Sequence, residues 1–136
     1  MADKVQFEIV TPTRLLVAET ADMIVVPGGD GDFGVLPGHT PLLSSIRPGI
    51  VDIHEHGKVQ ARFFIAGGFA EVDPEKCVIL ADEAAPVGEI DKAAAQARLE
   101  NAKKSIEGID EASRKAAEAE LARAEAMVAA AEAHAG

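Results

Sequence analysis

The sequence predicts an α+β protein, with an N-terminal antiparallel β-sandwich of about eight to ten short strands and a C-terminal antiparallel two-helix hairpin. All seven prolines lie at or before Pro86. Before that residue, apolar residues alternate with a period of two, which is typical of half-buried strands. After it, the chain is rich in alanine and free of proline, which favours helix. We therefore divide the chain into a sandwich domain, residues 1–86, and a helical hairpin, residues 87–136.

The strands are predicted from short apolar runs, which are Val5–Ile9, Met23–Val26, Ile50–Ile53, Val59–Ile65 and Val78–Leu80. Turn signals separate them, and these are Val10–Pro12, Pro27–Gly31, Pro37–Gly38, Pro48–Gly49, His56–Gly57, Gly67–Gly68 and Asp73–Pro74. No segment between these runs is long enough for a helix, so the pattern indicates a sandwich or a barrel.

Two helices are predicted after Pro86. Asp91 is a suitable N-cap for a helix over about 92–107, whose stripe is Ala95, Leu99, Ala102 and Ile106. Gly108 interrupts the pattern, and Asp110 caps a second helix that reaches about His134, with the seam Ala117, Leu121, Ala124, Val128 and Ala131. Alanine seams bury little apolar area, so we expect a hairpin that can move off the surface on which it rests.

Composition excludes several classes of function. The chain has 136 residues, a formal net charge of −10 and a pI near 4.8, which argues against phosphate-dependent binding of nucleic acid and against attachment to anionic lipid. Cys77 is the only cysteine, which suits a reducing cytoplasmic compartment. The longest wholly hydrophobic run, Ala126–Ala131, is far too short to cross a bilayer, and the start has no signal-peptide pattern.

No catalytic or metal site is predicted. The Gly-rich segment Pro27–Gly34 lacks the lysine and following helix of a phosphate loop, and Asp30 and Asp32 lack the further ligands of a calcium loop. His54 and His56 share one strand face, but two ligands do not make a metal site. The serines lack the context of a nucleophile, and Cys77 has no adjacent base.

The same Gly-rich segment carries a family resemblance. Val26–Leu43, which reads VPGGDGDFGVLPGHTPLL, closely resembles the epsilon subunit of bacterial F-type ATP synthases, the counterpart of the mitochondrial delta subunit. The likeness continues through Phe7–Pro12, Ile46–Gly49, Phe64–Val72 and Val78–Asp82, and with the sandwich and the hairpin it covers essentially the whole chain.

The resemblance implies a noncatalytic central-stalk subunit that binds the gamma subunit and the ring of c subunits, at the cytoplasmic face of the bacterial inner membrane and without inserting into it. The residues that match the ring-facing surface of the family are Gly28, Gly29, Asp30, Gly31, Asp32, Phe33 and, in the same neighbourhood, His39. The two aspartates would meet basic loops of the c subunits, and Phe33 would be an apolar anchor. No cofactor is expected.

The family hairpin is regulatory, and two alternatives follow from it. In some members it binds ATP through an [IL]-D-x-x-R-A motif; Ile90 and Asp91 match it, but Ala94 replaces the arginine, which leaves Arg98 as a substitute. In others it extends alongside gamma into the catalytic head, where basic residues face the catalytic beta subunit; Arg114, Lys115 and Arg123 are the candidates here for contact with gamma or with the catalytic head. Because residues 110–136 hold three basic against six acidic residues, we expect weak inhibition of ATP hydrolysis.

Overall fold

The computed structural model describes residues 4–135, and in them a sandwich is followed by two helices. The strands are β1 (Val5–Val10), β2 (Leu15–Ala21), β3 (Met23–Gly28), β4 (Gly31–Val35), β5 (Leu42–Ile46), β6 (Gly49–Glu55), β7 (Lys58–Ile65), β8 (Gly68–Val72), β9 (Lys76–Ala81) and β10 (Ala84–Pro86). A short 3₁₀ turn, Val87–Glu89, leads into α1 (Lys92–Ser105) and α2 (Glu111–Ala135). The predicted fold class is confirmed, while the domain boundary at Pro86 stays a prediction.

The ten strands are hydrogen-bonded into one sheet that folds into two halves around a shared core. The first half, called sheet I, has the order β10-β7-β6-β3-β4, and the second, called sheet II, has the order β5-β8-β9-β1-β2; the pairing of Gly28 with Ile46 connects them. One pair departs from the predicted antiparallel pattern, since β1 runs parallel to β9. Parallel neighbours need a long connection, and here most of the sandwich lies between these two strands in the chain.

The core lies between the sheets and is built by alternation along each strand. In β1 the inward residues are Val5, Phe7 and Ile9, and in β9 they are Cys77, Ile79 and Ala81, all buried. Val78 and Leu80, which carry the apolar alternation in the sequence, therefore point away from the core. The same geometry gives sheet II an outer face that is partly apolar.

The hairpin packs on the outer face of sheet I. Phe64 of β7 points away from the core yet is fully buried, because it forms a second apolar cluster with Ala66, Val87 and Ala130 of α2. Within the hairpin, Leu99 and Ala102 of α1 contact Ala124 of α2, which confirms the centre of the predicted seams. Asp91 caps α1 by accepting a hydrogen bond from the Ala94 N–H at 3.1 Å, and Asp110 accepts one from the Ser113 N–H at 2.9 Å.

Candidate functional site

An exposed apolar row crosses the outer face of sheet II. The register places Phe69 of β8 beside Leu80 of β9, Leu80 beside Val10 of β1, and Val10 beside Leu15 of β2. Phe69, Leu80 and Leu15 are 54%, 46% and 55% exposed. Four neighbouring strands thus present one apolar side chain each on this face, and this set is called the apolar row below.

The apolar row stands out because sheet I shows the opposite arrangement. There the hairpin covers the outward residue Phe64 completely, while nothing among residues 4–135 covers the row on sheet II. Leu43 of β5, 69% exposed, and the half-buried Val78 lie on the same face one register step away, with the exposed Glu71 between them. Contiguous apolar surface of this kind marks a site for protein–protein contact. Sequence analysis missed it, although the unbroken apolar run Cys77–Ala81 was a signal that β9 is apolar on both faces.

The predicted ring-facing segment forms the two-residue turn between β3 and β4. Gly28 pairs with Gly31, and Gly29 and Asp30 lie at the tip and are exposed. Gly28 has to be glycine, because a Cβ there would lie 2.6 Å from the Gly31 carbonyl oxygen and 2.9 Å from the Phe33 ring. The Phe33 side chain is half-buried against the core, so part of its ring already packs inside the sandwich.

Arg47 fixes this turn to the connection between β5 and β6. Its Nη1 donates to the Gly28 carbonyl oxygen at 2.6 Å, its Nη2 donates to Asp32 Oδ1, and its own N–H donates to the Pro27 carbonyl at 3.0 Å. The Gly29 N–H donates to the Ser45 carbonyl at 2.9 Å. These hydrogen bonds hold the turn rigidly. Of its two aspartates, Asp32 pairs with Arg47, while Asp30 forms no ion pair within residues 4–135.

His39 does not lie beside this turn, and the prediction of a shared neighbourhood is wrong. The Gly38 N–H donates to the Pro74 carbonyl at 2.7 Å, which places the 36–41 loop at the β8–β9 turn. From there β5 runs its full length before Ile46 reaches Gly28. At ~3.3 Å per residue, strands β4 and β5 separate His39 from the turn by more than about 10 Å. The His39 Nδ1 contacts the Thr40 carbonyl at 2.6 Å.

The three residues proposed for nucleotide binding all have structural partners. Asp91 caps α1, and Ile90 packs against the second apolar cluster. Arg98 of α1 donates from Nε and Nη2 to the two carboxylate oxygens of Glu120 at 2.8 and 3.0 Å, and from Nη1 to Glu83 at 2.8 Å. These bonds raise the pKa of Arg98 above its ordinary value, and the Arg98 hydrogen bonds lower the pKa of Glu120. The charge of Arg98 is therefore neutralised within the protein.

The three basic residues proposed for contact with gamma or the catalytic head differ in their exposure. Arg114 and Lys115 are exposed near the start of α2, and Arg114 lies 3.8 Å from Glu118 one turn along. Arg123 is half-buried and faces Glu120 at 3.3 Å, beside Arg98. Only the first two present their charge outward.

Groups that could carry chemistry are not assembled in residues 4–135. Cys77 is buried in the core, and burial raises the pKa of its thiol to about 12, so it is unreactive. No group of three histidine, cysteine, aspartate or glutamate side chains in this part of the chain is placed to hold a metal ion. None of the described helices has an apolar stretch long enough to span a membrane.

Comparisons with known proteins identify the family. Residues 4–87 match the model of the ATP synthase delta/epsilon chain β-sandwich domain. An ATP synthase epsilon chain of Rhodospirillum rubrum is 48% identical over 127 residues, which are 93% of this chain and 92% of the relative. One from Paramagnetospirillum magneticum is 51% identical over 107 residues, 79% of this chain and 80% of that one. The chain belongs to the ATP synthase delta/epsilon family, whose epsilon members are noncatalytic stalk subunits.

Solved structures agree on the architecture. A chain in the cryo-EM structure of the Euglena gracilis mitochondrial ATP synthase, which comprises OSCP, F1 and the c-ring, superposes with a TM-score of 0.81 at 28% identity, covering 96% of this chain and 82% of that one. A chain in the central stalk and c-ring of the Tetrahymena thermophila mitochondrial ATP synthase has a TM-score of 0.68 at 18% identity and covers 94% and 96%, which shows the same fold.

Proposed function

We propose that this chain is a rotor subunit of a proton-translocating F-type ATP synthase that links the gamma subunit to the c-ring and couples rotation to ATP synthesis. The observation that carries the proposal is the apolar row on sheet II, an uncovered surface on a rigid body. Torque passes through a subunit only if its attachment surfaces are held rigidly together, and a sandwich with a buried core supplies that rigidity. The chain would act at the cytoplasmic face of the bacterial inner membrane as a peripheral subunit.

Two surfaces fit two partners. We assign the gamma subunit to the apolar row, because obligate subunit contacts are apolar at their centre. We assign the c-ring to the β3–β4 turn, where the exposed Asp30 can pair with a basic loop and Arg47 prevents the turn from deforming. The strand pairing places the apolar row and this turn at the same end of the sandwich, since Phe69 lies opposite Ser45, whose carbonyl accepts from Gly29.

The experiment that tests this function measures ATP-driven proton pumping. Membranes carrying the synthase of the same organism are stripped of this chain and reloaded with the full-length protein, with Asp30→Lys, or with the control Glu75→Lys at an exposed position of the β8–β9 turn. We expect the parent and Glu75→Lys to restore pumping. Asp30→Lys should restore less than about a third of it, because like charge opposes the c-ring contact. Equal pumping with and without the chain would contradict the proposed function.

The hairpin is proposed to inhibit ATP hydrolysis only weakly. Residues 110–136 carry three basic against six acidic residues, and Arg123 is turned toward Glu120. A net negative segment is repelled by an acidic partner surface on the catalytic beta subunit, which it would reach only when extended. Removal of residues 87–136 from the assembled enzyme is therefore expected to raise ATP hydrolysis less than about twofold. A several-fold rise in that assay would show that the hairpin is a strong inhibitor.

Nucleotide sensing on the hairpin is the alternative function, and the observed contacts support it less. A phosphate group would have to displace Glu120 and Glu83 from the Arg98 guanidinium, and Ala94 supplies no second cation. Calorimetry with ATP and Mg²⁺ distinguishes the two functions, because the rotor function requires no heat of binding at sub-millimolar nucleotide.

A further inference from the structure

One guanidinium joins the three parts of this chain. The Nη1 of Arg98 on α1 donates to Glu83, which follows β9 in the sandwich, at 2.8 Å, while Nε and Nη2 donate to Glu120 on α2. Arg98 is only 24% exposed and also places Nη1 3.5 Å from the Met127 sulfur. We infer that Arg98 is a clasp that holds the hairpin on the sandwich through Glu83 and holds the two helices together through Glu120.

The sandwich and the hairpin both carry a net negative charge, so a cation between them favours docking of the hairpin. Residues 1–86 have six basic against thirteen acidic residues, and residues 87–136 have seven against ten, so two net negative bodies are in contact. Among residues 4–135, Arg98–Glu83 is the single ion pair that crosses from the hairpin to the sandwich. The cation of the clasp is therefore placed between two acidic surfaces.

The apolar contact between the two bodies is small. On the helix side it consists of Ala126, Met127 and Ala130; facing them are Ile50, Phe64 and Ala66 of the sandwich and Val87 and Ile90 of the connection. Two of the three helix residues are alanines, which contribute little apolar area, so α2 holds to the sandwich more weakly than a leucine-rich helix face would. Loss of the Glu83 bond should release the hairpin as a unit, because the Glu120 bonds and the cluster of Leu99, Ala102 and Ala124 remain.

Cysteine labelling tests the clasp with a separate probe for each interface. Ala130→Cys places a thiol between hairpin and sandwich, called the docking probe, and Ala124→Cys places one between α1 and α2, called the helix probe; both positions are fully buried. The native Cys77 lies in the core and reports global unfolding in every variant. A buried thiol reacts only when its interface opens, so its labelling rate measures the population of the open state. Should Ala130→Cys fail to fold, Ala126→Cys in the same cluster replaces it as the docking probe.

In the full-length protein, Glu83→Gln is expected to accelerate labelling of the docking probe roughly three- to tenfold, in keeping with a half-exposed ion pair, and to leave the helix probe and Cys77 within about twofold. Glu120→Gln should accelerate labelling of the helix probe, and Arg98→Gln should accelerate labelling of both interface probes.

The matched control Glu71→Gln removes an exposed charge from β8 and should leave all three labelling rates unchanged. An unchanged docking probe in Glu83→Gln overturns the clasp. Equal acceleration of the docking probe and Cys77 overturns it too, since the contact would then hold the whole fold.

Discussion

Leu80→Glu is expected to weaken binding of the gamma subunit by at least about a hundredfold while the chain stays folded. Leu80 lies in the middle of the apolar row, between Phe69 and Val10, and is 46% exposed. A carboxylate at the centre of an apolar interface loses its hydration without gaining a partner, which costs several kcal/mol on binding. In the free subunit the same carboxylate stays in water. The change is measured as the Kd of the full-length chain for the purified gamma subunit of the same organism.

Val59→Glu is the matched control for this prediction. Val59 of β7 is an exposed apolar residue of similar accessibility, at 38%, but it belongs to sheet I. Both variants gain one negative charge, so a general repulsion between subunits would weaken binding equally in the two. We expect Val59→Glu to bind within about threefold of the parent and both variants to keep the parent melting temperature within a few degrees. Gamma binding by Leu80→Glu at the strength of Val59→Glu would remove sheet II from the proposed interface.

The sequence predicted those features that depend on residues close together in the chain. The apolar runs predicted β1, β3, β6, β7 and β9 but did not locate the other five strands. Asp91 and Asp110 predicted the helix starts, and the alanine seams predicted which helix faces meet. These features depend on backbone propensity and on capping, both of which act within a few residues. The turn signal Pro27–Gly31 predicted the β3–β4 turn, and the family resemblance added the expectation that this turn faces the c-ring.

Long-range placement decided what the sequence could not predict. Period-two alternation does not say which face of an entirely apolar strand turns inward, and in β9 the buried set is Cys77, Ile79 and Ala81. In β7 the run Phe63–Ile65 is buried on both faces, because Phe64 meets α2. The separation of His39 from the turn and the meeting of Arg98 with Glu83 likewise depend on how the sheets and the hairpin are arranged. The surfaces proposed for function arise from that arrangement.

Gly68→Ala is expected to lower the free energy of unfolding by about 3 kcal/mol or more, and through it to disturb the apolar row. Gly68 begins β8 with φ +134°, a conformation almost confined to glycine. A Cβ at this position would overlap the Leu80 carbonyl oxygen and lie 3.0 Å from the Ala81 Cα, and both are backbone atoms that cannot rotate away. The close approach of β8 and β9 that puts Phe69 beside Leu80 therefore requires glycine here.

The neighbouring Gly67 separates the two causes of that destabilisation. Its φ of +121° is equally unfavourable for alanine, but a Cβ there would meet Asp82 Oδ2 at 3.4 Å and the Ile46 carbonyl at 3.7 Å, which are ordinary contacts. Gly67→Ala should thus cost only the backbone strain, about 1–3 kcal/mol, and remain more stable than Gly68→Ala in urea unfolding followed by circular dichroism. If both variants lost the same free energy of unfolding, backbone strain alone would explain the destabilisation. The close contact between the β8 and β9 backbones would then not be what fixes Leu80 next to Phe69.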